Sequence, residues 1–114
     1  MSMNILSRME ELILLSVWKL QEEAYGLEVR QHLSKLTGQD LSVGAVYVPL
    51  KRLKKRGYLE SWDSEPTDER GGRSKRFFKL TQKGVGALQQ VKTVQDNAWA
   101  NLPDIGMNWA PTNN

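Results

Sequence analysis

At Gly57 the periodicity of this chain changes, and that switch constrains its fold more than any bulk property. Up to Gly57 the apolar residues recur at helical spacing, in three stretches with short polar breaks; beyond it come two short aromatic-rich runs. A pattern with the period of a helix does not fit a strand, nor the reverse, so the order reads helix, helix, helix, strand, strand. A fourth helical stretch follows from residue 82.

The first stretch covers residues 7–22, with Ser7 as N-cap and Glu10 as its capping-box partner. Met9, Leu12, Ile13, Ser16, Val17 and Leu20 form one face. Leu14, Leu15 and Trp18 form a second, which predicts a helix buried on two sides. The second helix is expected from residue 26 to about 36, with Leu27, Val29, Leu33 and Leu36 inward and Gly38 as its stop. Ser42 caps the third, over residues 43–56, whose packed stripe is Val46, Leu50 and Leu53. Pro49 lies inside it and is expected to kink or loosen its second turn.

Strands are expected over residues 58–62 and 75–80, joined by a long polar loop. In the second, Phe78 and Leu80 share a face opposite Lys75, Phe77 and Lys79; Trp62 is expected to pack on the hairpin. Thr81 caps the fourth helix, over residues 82–101, and Pro103 ends it. Val85, Leu88, Val91, Val94, Ala98, Trp99 and Leu102 line one of its sides, and residues 104–114 read as a loose tail.

Several function classes are excluded by what the chain lacks. It has no cysteine and one histidine, His32, so no disulfide framework and no paired-histidine metal site is expected, and no cofactor. No apolar run approaches the ~20 residues that span a bilayer, and the N-terminus lacks the apolar core of a signal peptide. A cytoplasmic protein without a membrane partner is expected. Glu65, Asp68 and Glu69 sit in the polar loop, a poor support for acid–base chemistry, so no catalytic residue is assigned and an enzyme is not expected.

The charge is more informative. A net +3 conceals an asymmetry: residues 42–83 hold eleven Lys and Arg against five acids, while residues 1–41 and 84–114 are both mildly acidic. One part of the molecule is therefore suited to a polyanion. Three helices followed by a two-stranded hairpin is the order of a winged helix-turn-helix, mainly α with a small β-hairpin, and its third helix keeps one side free. Here that side carries Gly44, Tyr47, Val48, Lys51, Lys54 and Lys55, with Arg52 on the shoulder. A major groove admits one helix, and cations on it neutralise phosphates. At the hairpin tip Arg70, Arg73, Lys75 and Arg76 surround two glycines, an arrangement suited to phosphate or minor-groove contact. Sequence-specific binding of double-stranded operator DNA is the expected function. A winged helix used for protein–protein contact without DNA binding is the alternative, against which the dense cationic hairpin argues.

The fourth helix bears on assembly. Its stripe needs cover, and the expected cover is a homodimer through Leu14, Leu15, Trp18, Leu88, Val91, Val94, Ala98, Trp99 and Leu102. Folding of this helix back on its own first helix is the alternative that the pattern leaves open. Residues 1–80 then form a winged-helix DNA-binding domain, residues 81–103 a C-terminal dimerisation helix and residues 104–114 a flexible tail.

Taken together, these pieces resemble the PadR family of transcriptional regulators over residues 7–84. The resemblance rests on Leu6-Ser7-Arg8 with Glu11, on Ala24-Tyr25-Gly26, on Leu41 to Tyr47, and on Leu50 with Arg52-Leu53 before Lys55-Arg56-Gly57-Tyr58-Leu59. It extends through Arg70-Gly71-Gly72-Arg73-Ser74-Lys75-Arg76-Phe77-Phe78-Lys79-Leu80-Thr81 to Gly84. It implies a dimeric repressor released from its operator by a ligand or stress signal, with DNA contacts at Tyr25, Ser42, Gly44, Tyr47, Arg73 and Lys75. The family often has proline directly after the tyrosine of the third helix, whereas Val48 intervenes here. The short C-terminal part resembles that of compact multidrug-sensing members, in which an aromatic of the last helix stacks on planar drugs between subunits. Trp99 is read either as such a site for a planar aromatic effector or as an anchor of dimer packing.

Overall fold

Hydroxyl side chains set the starts of three helices in the computed structural model of the chain, which describes residues 5–65 and 75–103. Helix α1, Arg8–Leu20, begins at Ser7, whose Oγ accepts the Glu10 amide at 3.1 Å while Glu10 Oε1 accepts the Ser7 amide at 2.8 Å. Helix α3, Val43–Lys55, begins at Ser42, whose Oγ accepts the Ala45 amide. Helix α4, Gln82–Trp99, begins at Thr81, whose Oγ1 accepts the Gly84 amide. Each hydroxyl satisfies an amide that has no partner within its helix. Helix α2, Gly26–Thr37, has no side-chain cap and ends on Gly38 at φ 71°, the left-handed stop that glycine adopts readily. Between α1 and α2 a single 3-10 turn, Gln21–Glu23, replaces the last residues expected of the first helix.

Strands β1, Leu59–Asp63, and β2, Arg76–Leu80, pair antiparallel with Leu59 opposite Leu80 and Asp63 opposite Arg76. The mainly helical chain with one small hairpin is a winged helix, as its element order predicts. The hairpin does not hang free. The Phe78 amide donates to the Ala24 carbonyl at 2.8 Å, and Tyr25 forms a bridge with Phe77, so the α1–α2 connection continues the sheet past β2. At the other end the Thr81 amide donates to the Tyr58 carbonyl, and the Thr81 hydroxyl to the Gly57 carbonyl. Gly84 lies so close to that Tyr58 carbonyl that a Cβ would overlap its oxygen. A glycine is needed there for α4 to dock on the hairpin root.

Helix α1 is the centre of the domain, packed against α2, α3, α4 and β2. Its buried arc takes in Ile13, Leu14, Ser16 and Val17. The assignment of Leu14 to a second face, and hence to a dimer interface, is therefore corrected. At 100° per residue Leu14 lies 60° from Val17, inside an arc widened by neighbours on several sides, and it is fully buried. Leu15 and Trp18 do lie outside that arc and are exposed. On α2, Val29 and Leu33 are buried as expected, but Leu27 and Leu36 stand in solvent. Leu27 lies about 160° around the helix from Val29, on its outer side, and Leu36, in the last turn, borders an open depression against α1. On α3, Val46, Leu50 and Leu53 are fully buried, and the helix runs unbroken through Pro49, whose ring is buried beside them.

Helix α4 divides in two. Its first half joins the core through Ala87, Leu88 and Val91, and Gln95 Nε2 reaches the Glu11 carboxylate of α1 at 3.2 Å. Its last residues, Ala98 and Trp99, and Leu102 beyond it, are exposed. Part of the stripe thus folds back on the chain's own α1, and Leu88 and Val91 are already covered without a partner. Arg70 and Arg73, expected at the hairpin tip, and residues 104–114, expected as a tail, lie outside the described residues.

Candidate nucleic-acid interface

With Val46, Leu50 and Leu53 turned inward, the opposite stripe of α3 is fixed by helix geometry as Gly44, Val48, Lys51 and Lys55. All four are exposed. No acid interrupts α3, and Lys51, Lys54 and Lys55 make no ion pair among the described residues. An ideal Cβ on Gly44 would meet nothing within 4 Å, so the first turn of the stripe presents bare backbone. Val48 is a large apolar side chain held in water. Tyr47 flanks the stripe and is half-buried. Its hydroxyl sits over Gly26, where a Cβ would overlap it, so the absent side chain of Gly26 makes the seat for the Tyr47 ring at the start of α2.

The wing approaches the same end of α2. Lys75 Nζ lies 3.9 Å from the Tyr25 ring centroid, a cation–π contact. The Tyr25 ring meets Phe77 edge to face at 5.5 Å, and Trp62 stacks on Phe77 at 5.9 Å. The Tyr25 hydroxyl donates to Glu28 Oε1 at 3.1 Å. A row of aromatic rings thus fixes the hairpin against the start of α2 and brings Lys75, Tyr25 and Tyr47 to one region.

Not every cation of the basic segment is available. Arg76 is held across the hairpin by Asp63, Nε to Oδ1 3.1 Å, and by the Ser61 hydroxyl. On α3, the Arg52 guanidinium lies 3.8 Å from Glu10 Oε2, and Arg56 donates to the same oxygen at 2.9 Å. Neither Glu10 nor Asp63 is assigned a role towards these arginines by the sequence, since Glu10 and Arg56 are 46 positions apart. The spacing of Arg52 and Arg56 by four along one helix flank is the one signal that they share a partner.

The family model described as Transcriptional regulator PadR-like matches residues 13–90. The chain belongs to this family. Among solved structures it is similar to a PadR-like transcription factor from Bacteroides fragilis, at 28% identity and TM-score 0.65 over 78% of this chain and 81% of that one. RosR from H. salinarum, at 23% identity and TM-score 0.64 over 88% and 83%, shares the fold. So does a transcriptional regulator from Clostridium thermocellum, at 21% and 0.62 over 78% and 83%. A comparison with curated proteins gives no significant match. As a PadR-like chain it is a DNA-binding transcription regulator, which favours the DNA-binding use of the winged helix over the protein-contact one.

Away from α3 and the hairpin, two groups of apolar side chains that this PadR-like chain leaves exposed bear on assembly. Leu15, Trp18 and Leu36, with Leu12, Lys19 and His32, line a shallow depression of about 450 Å³ between α1 and α2. His32 is anchored there, its Nδ1 2.9 Å from the buried Ser16 hydroxyl, which itself donates to the Leu12 carbonyl. The second place is the end of α4, where Trp99 is 74% exposed and Leu102 57%. Val94 is half-buried between the two halves of that helix. No described helix is long and apolar enough to cross a membrane, and no group of three His, Cys, Asp or Glu among the described residues could hold a metal ion.

Proposed function

We propose that this chain is a repressor that binds operator DNA as a homodimer and is released by a small-molecule ligand. The observation that carries the DNA-contact assignment is the uninterrupted, unpaired cationic stripe of α3, flanked by the Lys75–Tyr25 contact of the wing. In the major groove, Lys51 and Lys55 neutralise phosphates while Ser42, Gly44, Tyr47 and Val48, near the helix start, face base edges. Tyr25 and Lys75 extend the contact from the wing side, and Arg70 and Arg73, close to Lys75 in the sequence, are proposed to add to it. Arg76 contributes field rather than a free donor, because Asp63 already holds it. DNA as the partner makes the cytoplasm the site of action.

The dimer reading is supported by α4. Its apolar stripe continues to Ala98 and Leu102 after the chain's own core has ended, and Leu15 and Trp18 stand exposed on α1. A second copy covering both surfaces would satisfy them and would align two α3 helices with half-sites about one helical turn, ~34–36 Å, apart. In this reading residues 1–80 together with the first half of α4 form the DNA-binding domain. The second half, through Val94, Ala98, Trp99 and Leu102, is the dimerisation arm, followed by the tail from residue 104. Trp99 presents a large aromatic surface where a planar aromatic ligand would stack.

The test is selection from a randomised duplex pool followed by salt titration of the enriched site. A two-fold symmetric motif is expected. Replacing Lys51, Lys55 and Lys75 by Ala should flatten the log–log salt dependence by about 0.9 for each phosphate that is no longer neutralised. Absence of an enriched motif, or an unaltered slope in all three variants, refutes the assignment.

A further inference from the structure

The Glu10 carboxylate is buried, its side chain 9% exposed, and its two oxygens do different things. Oε1 accepts the Ser7 amide and completes the cap of α1. Oε2 faces α3, where it accepts from Arg56 at 2.9 Å and lies 3.8 Å from Arg52 Nε. Capping alone does not require a charge, because glutamine serves the same position of a capping box. The second oxygen therefore has a separate consequence. Arg56 has other holds, its guanidinium carbon 4.9 Å from the Tyr58 ring centroid and one nitrogen 3.5 Å from the Tyr58 hydroxyl. Among the described residues Arg52 has only Glu10, and its side chain is 55% exposed. Arg52 lies on the shoulder of the DNA-facing stripe, about 70–80° around the helix from its centre by the 100° per residue of an α-helix. The side chain of an arginine is long enough to turn onto that face.

We propose that Glu10 is a specificity-determining residue: by pairing with Arg52 and Arg56 on α3, it withholds Arg52 from the phosphate backbone and limits sequence-independent DNA affinity. The inference rests on α3 being the DNA-facing helix. Phosphate contacts carry no sequence information, and their number sets non-specific affinity and its salt dependence. A regulator must find its operator among many competing sites, so an arginine held back at a groove-facing helix raises the share of affinity that depends on sequence. Arg52 is then not a DNA contact of the unmodified chain, in contrast to the expectation from its position in the sequence.

The experiment is a salt titration of full-length protein on a duplex of arbitrary sequence. Glu10→Gln keeps the cap and removes the charge. It should steepen the log–log slope by about 0.9, for one more neutralised phosphate, and tighten binding at 0.1 M salt by roughly eightfold. Glu23→Gln, which removes an exposed acid in the 3-10 turn after α1, controls for net charge and should leave the slope unchanged. Adding Arg52→Met to Glu10→Gln should abolish the gain, whereas Arg52→Met alone should leave the slope at its unmodified value. A purely structural role for Glu10 would weaken binding instead. An unchanged or shallower slope in folded Glu10→Gln, or a flatter slope in Arg52→Met alone, overturns the proposal; the second result decides it even if Glu10→Gln melts. An unmodified chain that ignores duplex DNA refutes the interface itself, a distinct outcome.

Discussion

Two glycines on one helix should respond to the same substitution with opposite signs. Gly84 and Gly86 both lie in the first turns of α4. An ideal Cβ on Gly86 meets nothing within 4 Å; on Gly84 it overlaps the Tyr58 carbonyl oxygen and lies 3.5 Å from Leu80 Cγ. Replacing a helical glycine by alanine restricts the unfolded chain and stabilises by about 0.5–1 kcal/mol where the geometry is unstrained. Gly86→Ala should gain that amount. At Gly84 the obstacle is backbone, which cannot rotate aside. The carbonyl also accepts the Thr81 amide at 3.1 Å, so moving it disturbs the junction of hairpin and helix. Overpacking of this kind costs about 1–3 kcal/mol, which exceeds the alanine gain and leaves Gly84→Ala less stable by about 0.5–2 kcal/mol. For a domain of this size each kcal/mol moves the melting temperature by about 4–8 °C. The assay is far-ultraviolet circular dichroism against temperature and urea, at one fixed protein concentration so that assembly does not shift the midpoint. Shifts in the same direction for both variants would refute the claim that α4 docks through a glycine-sized gap.

Gln21 ends α1 at φ 52° and ψ −121°, a conformation that glycine adopts without strain. Gln21→Gly should raise stability by about 1 kcal/mol despite losing the exposed bond from Nε2 to the Trp18 carbonyl, and a lower urea midpoint would contradict this. Trp99→Ala with Leu102→Ala should leave the fold intact, because both side chains stand in solvent within one chain. Sedimentation should then show monomer at concentrations where the unmodified chain is dimeric; an unmodified chain that sediments as monomer sinks the dimer. Val48→Ser should erase a thymine preference at one position of each half-site, worth about 1 kcal/mol or more. Selection from a randomised pool reads this directly, and an identical motif would remove Val48 from the groove.

The parts of this fold that were legible in the sequence are those governed by neighbours along the chain. The capping residues Ser7, Ser42 and Thr81 act three positions ahead, and Val46, Leu50 and Leu53 face one way because a helix turns 100° per residue. The winged-helix order follows from such local signals. What periodicity does not reveal is how many elements surround a helix. Leu14 lies only about 60° from Val17, yet whether its side of α1 is covered depends on partners that periodicity does not show; α1 has several, and both residues are buried. The same blindness applies to charge, and there it bears on function. A tally of the middle segment counts arginines and lysines alike, but the fold sorts them. Arg52 and Arg56 turn to Glu10 and Arg76 to Asp63, while Lys51, Lys54 and Lys55 stay unpaired and Lys75 rests on an aromatic ring. Arginine's planar fork suits paired carboxylates, and lysine acts as a point charge without fixed geometry. Among the described residues the cations left for DNA are thus the ones least able to distinguish bases. Discrimination then falls to the uncharged start of α3, where Gly44 permits close approach, Val48 offers an apolar surface and Tyr47 is held in place by the missing side chain of Gly26.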